Sequence, residues 1–178
     1  LYYDPVQEQL IDFVGGFRDL RSRKLKPVIP LETTFSEDPV RMIRAVKYAR
    51  TTGCRMGFFL KNAIRKHAVR LAEVSASRIS EEAFKILQGG HAASLIRDLQ
   101  DYGLLVSIMP ELSRLLSDKT RTAWTERLYG SLETLDNAVN VHRESRRSIQ
   151  LSYLVGDYLL GESPWSREKK PAFASAYQ

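Results

Sequence analysis

From Ser36 onward the apolar residues recur three and four positions apart almost without a break, a pattern that can bury itself only by packing helix on helix. Helices are expected over about 36–51, 58–73, 77–88, 91–102, 120–137 and 143–160, with 104–116 a short helical or turn segment interrupted by Pro110. Gly53, the Gly89-Gly90 pair and Gly103 supply the stops. In the first helix Ser36 reads as the N-cap, Glu37 and Asp38 fall in the first turn, and Pro39 sits where a missing N–H costs nothing. Val40, Ile43 and Val46 (or the stem of Lys47) form one stripe of that helix; Glu37, Arg41, Arg44 and Tyr48 form another. In the second, Leu60, Ile64, Ala68 and Leu71 point inward while Lys61, Arg65, Lys66 and Arg70 point outward. Trp124, Leu128, Leu132 and Leu135 mark a core face later in the chain, in short stacked helices rather than a four-helix bundle.

Before Ser36 the pattern differs. Leu1-Tyr2-Tyr3 is rich in strand formers and ends at Asp4-Pro5, Ile11 to Val14 is a short apolar run stopped by Gly15-Gly16, and Val28-Ile29 lies between prolines that allow only a short or edge strand. This is too little sheet to stand alone. The fold class is therefore mainly α, a short β portion followed by helices. The chain opens in mid-strand without Met, as a piece of a longer protein would.

Composition narrows the function classes. Over 178 residues, 43% are apolar and 27% charged, as in ordinary globular proteins, and no apolar run approaches the roughly 20 residues a membrane helix needs. A single cysteine, Cys54, excludes an intrachain disulfide framework and makes a reducing cytoplasm the default expectation. His67, His91 and His142 are too scattered for a metal site. The net charge of +6 is concentrated: between Arg18 and Arg70 there are 14 lysines and arginines against four acids. Such an excess fits a polyanionic partner or a solvated helix face.

Asp38 and Arg41 project three residues apart from one helix face. A carboxylate that accepts beside a guanidinium that donates matches the Watson–Crick edge of adenine, N6–H₂ to the acid and N1 to the arginine. The same residue types also serve as routine helix ion pairs, and the spacing alone leaves both readings open. Arg78, Glu81 and Glu82 read as helix capping and surface pairing. Tyr2, Tyr3 and Tyr48 fit either core packing or base stacking; Trp165 falls in a polar tail.

The run Ser36 to Ala49 resembles the motif E-D-P-x-R-x-x-R-A-x-[KR]-[FY]-A of the class II nucleotidyltransferases, the bacterial poly(A) polymerases and CCA-adding tRNA nucleotidyltransferases. Ile11 to Leu20 resembles the D-[FY]-x-G-G-x-x-D-L element of that family, and Val74 to Glu82 and Tyr102 to Leu112 resemble its helical body, in order over about residues 1–116. Residues 161–178, with two prolines and five charges, read as a disordered tail. The resemblance implies the end of a nucleotidyltransferase head over 1–31, a neck over 32–75 and a helical body over 76–160. It implies that Asp38 and Arg41 contact the incoming base, supported by Glu37 and Arg44, and that Asp12, Gly15 and Gly16 close the nucleotide side. Arg18, Arg21, Arg23, Lys24 and Lys26 would lie beside that pocket, and Lys61, Arg65, Lys66 and Arg70 would face RNA.

It further implies an Mg²⁺-dependent transferase using ATP on RNA 3′ ends of mRNA or tRNA, with no membrane partner. The D-x-D carboxylates that hold the metals in that family occur nowhere in these residues, nor does its G-G-x-V-R-D element. No catalytic residue and no metal ligand is therefore assigned here, and the chain alone is expected to be inactive. The Pro-Val-Arg-Met run at 39–42 and the basic linker before it favour poly(A) addition over CCA addition. The rival of another class is a non-catalytic RNA-binding helical module; a truncated product without activity is a third. Oligomeric state is unassigned.

Overall fold

The computed structural model describes residues 1–142 and 146–162, the last six of these as backbone only. The fold is mainly α. Strands β1 (Tyr2–Asp4) and β2 (Gln9–Ile11) pair antiparallel with Tyr2 opposite Ile11, and the Asp4 carboxylate ties their turn by accepting from the N–H groups of Val6 and Gln7. Helix α1 (Gly16–Arg21) leads to β3 (Lys24–Leu25). Then come α2 (Leu31–Glu37), α3 (Val40–Thr52), β4 (Arg55–Met56) and α4 (Phe58–His67). A 3₁₀ segment (Ala68–Glu73) connects to α5 (Ala76–Leu87) and α6 (Ala92–Asp101). Helices α7 (Leu105–Ile108), α8 (Pro110–Ser117), α9 (Thr122–His142) and α10 (Arg147–Glu162) complete it.

The core forms where the helical stripes meet. Helix α3 buries Val40, Met42, Ile43 and Val46, and α6 buries Leu95, Ile96 and Leu99. Helix α9 lays Trp124, Leu128, Leu132, Leu135 and Val139 against the other side of α6. Each such Leu, Ile or Val contributes about 1.5–3 kcal/mol relative to solvent exposure. Two main-chain devices fix α6: Asp136 on α9 accepts from the N–H groups of Ala92 (2.6 Å) and Ala93 (3.1 Å), and Gly90 turns the chain just before it at φ +67°. Asn140 donates to the Gly90 carbonyl at 3.3 Å, so both contacts come from α9.

Several boundaries differ from the sequence expectation. Ser36 is not an N-cap: it lies inside α2, its hydroxyl donating back to the Thr33 carbonyl. Pro39 forces Asp38 out of the helical region, to φ −145° and ψ 90°, so α2 ends there and α3 begins after it. Val28-Ile29 forms no strand; instead Lys24 and Leu25 pair in parallel with Arg55 and Met56, joined further by Arg55 N–H donating to the Arg23 carbonyl at 2.8 Å. The helix expected over 58–73 changes to 3₁₀ form at Ala68. Helix α9 runs five residues past 137, and α10 starts at Arg147 rather than 143. Gly161 and Glu162, expected in the tail, belong to α10; Trp165 and the rest of that stretch lie outside the described residues. No helix among the described residues is long and apolar enough to cross a membrane.

Candidate nucleotide-reading site

The start of α3 is where the predicted residues converge. With Asp38 extended, its carbonyl accepts the N–H of Arg41 at 3.0 Å, and its side chain is free to turn outward. That carboxylate, four-fifths covered, accepts from Arg78 of α5 at 2.9 Å. Arg41 lies between two acids without a short bond to either: its Nε is 3.8 Å from Asp38 and its Nη1 is 3.7 Å from Glu37. The pairing leaves Asp38 anchored and the Arg41 guanidinium, 43% exposed, with donors to spare.

One turn on, Arg44 donates through Nε (3.2 Å) and Nη2 (3.0 Å) to Glu82 Oε1, also from α5. Glu82 is 2% exposed and takes two more cations, Lys47 at 3.2 Å and Lys85 at 3.2 Å. Burial alone would raise its carboxyl, but the bonds from Arg44, Lys47 and Lys85 outweigh that and hold it below the usual glutamate range. The C-terminal end of α3 is fastened separately, Arg50 to Asp98 of α6 by two bonds that raise the arginine further. A cleft of about 250 Å³ opens between α3 and α5, walled by Val40, Arg44, Arg78 and Glu82 among others.

Arg78 and Glu82 were expected to cap and to pair at the surface; Arg78 does pair there, and the structure corrects Glu82. Arg78 grips Asp38, and Glu82 is a buried hub for Arg44. Local sequence does not announce either role. The available signal is that 78, 82 and 85 share a helical stripe of alternating sign, opposite in order to Asp38 just before α3 and Arg44 on it. Glu81, by contrast, does pair at the surface, with Arg147 of α10 at 2.9 Å.

The other predicted residues lie apart. Asp12 caps its own turn, accepting from Gly16 and Phe17 N–H at 2.9 Å each and from Val14 at 3.2 Å. These bonds, Phe17's foremost, lower its carboxyl from the ordinary value. Gly15 holds φ +74° just before α1, a conformation in which a side chain is strained. Among the described residues no bond links Asp12, Gly15 or Gly16 to Asp38 or Arg41. Arg18 and Arg21 stand exposed on α1, Arg23 in the turn after it and Lys24 on β3, and Lys26 pairs with Asp19. On α4, Lys61 is half-buried, Arg65 lies over the Tyr102 ring at 4.9 Å, and Lys66 pairs with Glu32 at 2.7 Å; Arg70 is half-buried in the 3₁₀ segment beyond. His67, buried, sits 3.0 Å from the same Glu32. Tyr2, Tyr3 and Tyr48 are not core; they are 69%, 63% and 49% exposed.

The resemblance implies Mg²⁺, and these residues do not fit it. Among the described residues no three acids, histidines or cysteines come together in a cation-holding group. Selection of a base is chemistry that Asp38 and Arg41 can perform; metal-assisted transfer is not assigned to any residue here.

Known proteins align with this geometry. Residues 60–116 match the family described as "Probable RNA and SrmB- binding site of polymerase A". Poly(A) polymerase I of Salmonella typhi is 30% identical over 139 residues, covering 78% of this chain and 30% of that protein. Poly(A) polymerase I of Escherichia coli O157:H7 is 32% identical over 118 residues, 66% of this chain and 25% of that one. The CCA-adding enzyme of Latilactobacillus sakei is 32% identical over 158 residues, 88% of this chain and 35% of that enzyme. The chain thus spans about a third of the length of the curated relatives it matches. With that similarity running through the α3–α5 site and the helices behind it, the chain belongs to the family of bacterial poly(A) polymerases and CCA-adding tRNA nucleotidyltransferases.

Proposed function

We propose that these residues form the base-selecting and RNA-facing part of a nucleotidyltransferase that adds AMP from ATP to RNA 3′ ends. The observation that carries this reading is the contrast between Asp38, anchored by Arg78, and the Arg41 guanidinium, which stands 3.7 Å from Glu37 and 3.8 Å from Asp38. A fixed acceptor beside an available donor suits adenine, whose N6–H₂ donates and whose N1 accepts. Cytosine offers the same order of groups at N4 and N3. Guanine and uracil offer the reverse and would face donor with donor, at a cost of about 1–3 kcal/mol for the mismatched pair. Arg44, locked on Glu82, supports the helix turn behind the reader rather than the base itself.

The activity of the whole protein, with ATP and Mg²⁺ as its cofactors, rests on acids outside these residues, and we infer that the 178-residue chain alone transfers no nucleotide. The test uses full-length protein with Arg41→Ala or Asp38→Ala. The preference for ATP over GTP should fall about tenfold or more, with RNA affinity nearly unchanged because one charge among many is lost. Unchanged nucleotide preference would refute the reading. CCA addition is favoured by one observation, the match to the Latilactobacillus enzyme over 88% of the chain. CTP incorporation into truncated tRNA by the wild-type protein would decide for it.

A further inference from the structure

Two phenylalanines at the start of α4 stand in solvent. Phe58 is 70% and Phe59 81% exposed, while the next residue, Leu60, is buried. Their rings touch edge to face, centroids 5.9 Å apart at 75°. Single exposed apolar residues are common on proteins, but two adjacent aromatic rings forgo several kcal/mol of burial. The surface next to them is cationic. Arg55 precedes Phe58 by three residues, and β-pairing sets Lys24 in register with Arg55 and Arg23 beside it, bringing together basic residues 31 and 32 apart in sequence. Lys61 follows one helical turn after Phe58. Among the described residues no carboxylate pairs with Arg23, Lys24, Arg55 or Lys61. No acid occurs in the sequence between Asp38 and Glu73.

We propose that Phe58 and Phe59 are a stacking platform for unpaired bases of single-stranded RNA, with Arg23, Lys24, Arg55 and Lys61 neutralising the phosphates on either side. The proposal rests on the RNA reading above and adds a site to it. Base faces stack on aromatic rings whatever their sequence, and each phosphate contact releases counterions; a ring pair flanked by unpaired cations fits both halves of such a ligand. A neutral apolar protein surface would satisfy the rings and leave the four cations desolvated, so the charge favours RNA.

The experiment measures binding of fluorescein-labelled oligo(A) and of a duplex RNA to the full chain by anisotropy over a salt series. The proteins compared are wild type, F58A/F59A, F58Y/F59Y and K24A/R55A. Both rings are exposed, so the alanine pair should fold, and the tyrosine pair retains the platform if it does not. The expected result is about a tenfold to hundredfold loss of oligo(A) affinity in F58A/F59A with an unchanged salt slope. F58Y/F59Y should bind as wild type, and K24A/R55A should lose about two units of slope. Duplex affinity should ignore the rings. Normal oligo(A) binding by F58A/F59A overturns the platform while leaving the RNA reading intact if K24A/R55A weakens binding. Absence of RNA binding by wild type overturns both. A change of oligomeric state in F58A/F59A with RNA affinity intact assigns the rings to a protein contact and also overturns the proposal.

Discussion

Asp38 Oδ1 accepts a 2.9 Å hydrogen bond from Arg78, forty residues further along the chain on α5. The acid proposed to read a base is thereby oriented by a side chain of α5. Glu82, one turn after Arg78, does the same for Arg44, so α5 holds both an acid and a base of the proposed site.

Arg78→Ala should therefore loosen selection without unfolding the protein. Its guanidinium is half exposed, and an exposed ion pair contributes no more than about 1 kcal/mol to stability. In full-length protein the ratio of kcat/KM for ATP to that for GTP should drop about tenfold, because a mobile Asp38 discriminates less well. Arg78→Lys, which keeps the charge and loses the planar fork, should fall between. Steady-state kinetics with both nucleotides checks this.

Glu82→Gln should destabilise by about 2 kcal/mol, since three cations lose their common partner. The loss is smaller than for a wholly buried pair because Arg44 and Lys85 keep 40% and 49% of their side-chain surface in water. Urea midpoints of the two proteins measure it.

The pH dependence follows from the same carboxylate. Its folded value lies below the ordinary 4.5, so the unfolded chain binds its proton first as pH falls. The contribution of Glu82 is fully present above that ordinary value and is lost as pH drops from there through the folded one. Between pH 6 and 3 wild type should lose more stability than E82Q. Parallel curves would contradict the assignment.

Gly90→Ala should cost about 2 kcal/mol. The residue sits at φ +67°, and a Cβ there would collide with Asn140 Oδ1. Adding Asn140→Ala should remove the collision and leave the backbone strain of about 1–2 kcal/mol. Thermal melts of the single and double variants separate the two terms.

Asp136→Ala should cost about 1–2 kcal/mol, as for the loss of a helix cap, because its carboxylate serves two N–H groups at the start of α6. Hydrogen exchange at Ala92 and Ala93 should accelerate in step.

The long periodic helices were legible in the sequence because their apolar stripes are long enough to fix a face: Leu128, Leu132 and Leu135 of α9 are all fully buried. Asp38 and Arg41 were read as one helix face from their three-residue spacing; Pro39 breaks that face, and the two approach only as an extended Asp38 whose carboxylate stands 3.8 Å from Arg41 Nε. The break at Asp38 was placed two residues early, since Ser36 looks like a cap and only the steric effect of Pro39 on its predecessor moves the boundary. Strands β3 and β4 were invisible: two residues each carry no periodicity, and their pairing depends on where α2 and α3 bring the chain. Glu82 was read as a surface acid because Glu81-Glu82 is symmetrical in sequence. Only the approach of α5 to α3 buries one of the two and leaves the other to Arg147.

The parallel pair between Lys24-Leu25 and Arg55-Met56 closes a loop that contains α2 and α3 entire. Entry to α2 and exit from α3 are clasped together, and the closure entropy of such a loop grows only logarithmically, about 0.6 kcal/mol for each doubling of its length. Segment length between Lys26 and Pro30 is thus a nearly free variable. Extra residues inserted there would enlarge the loop and leave Asp38, Arg41 and their partners on α5 where they are.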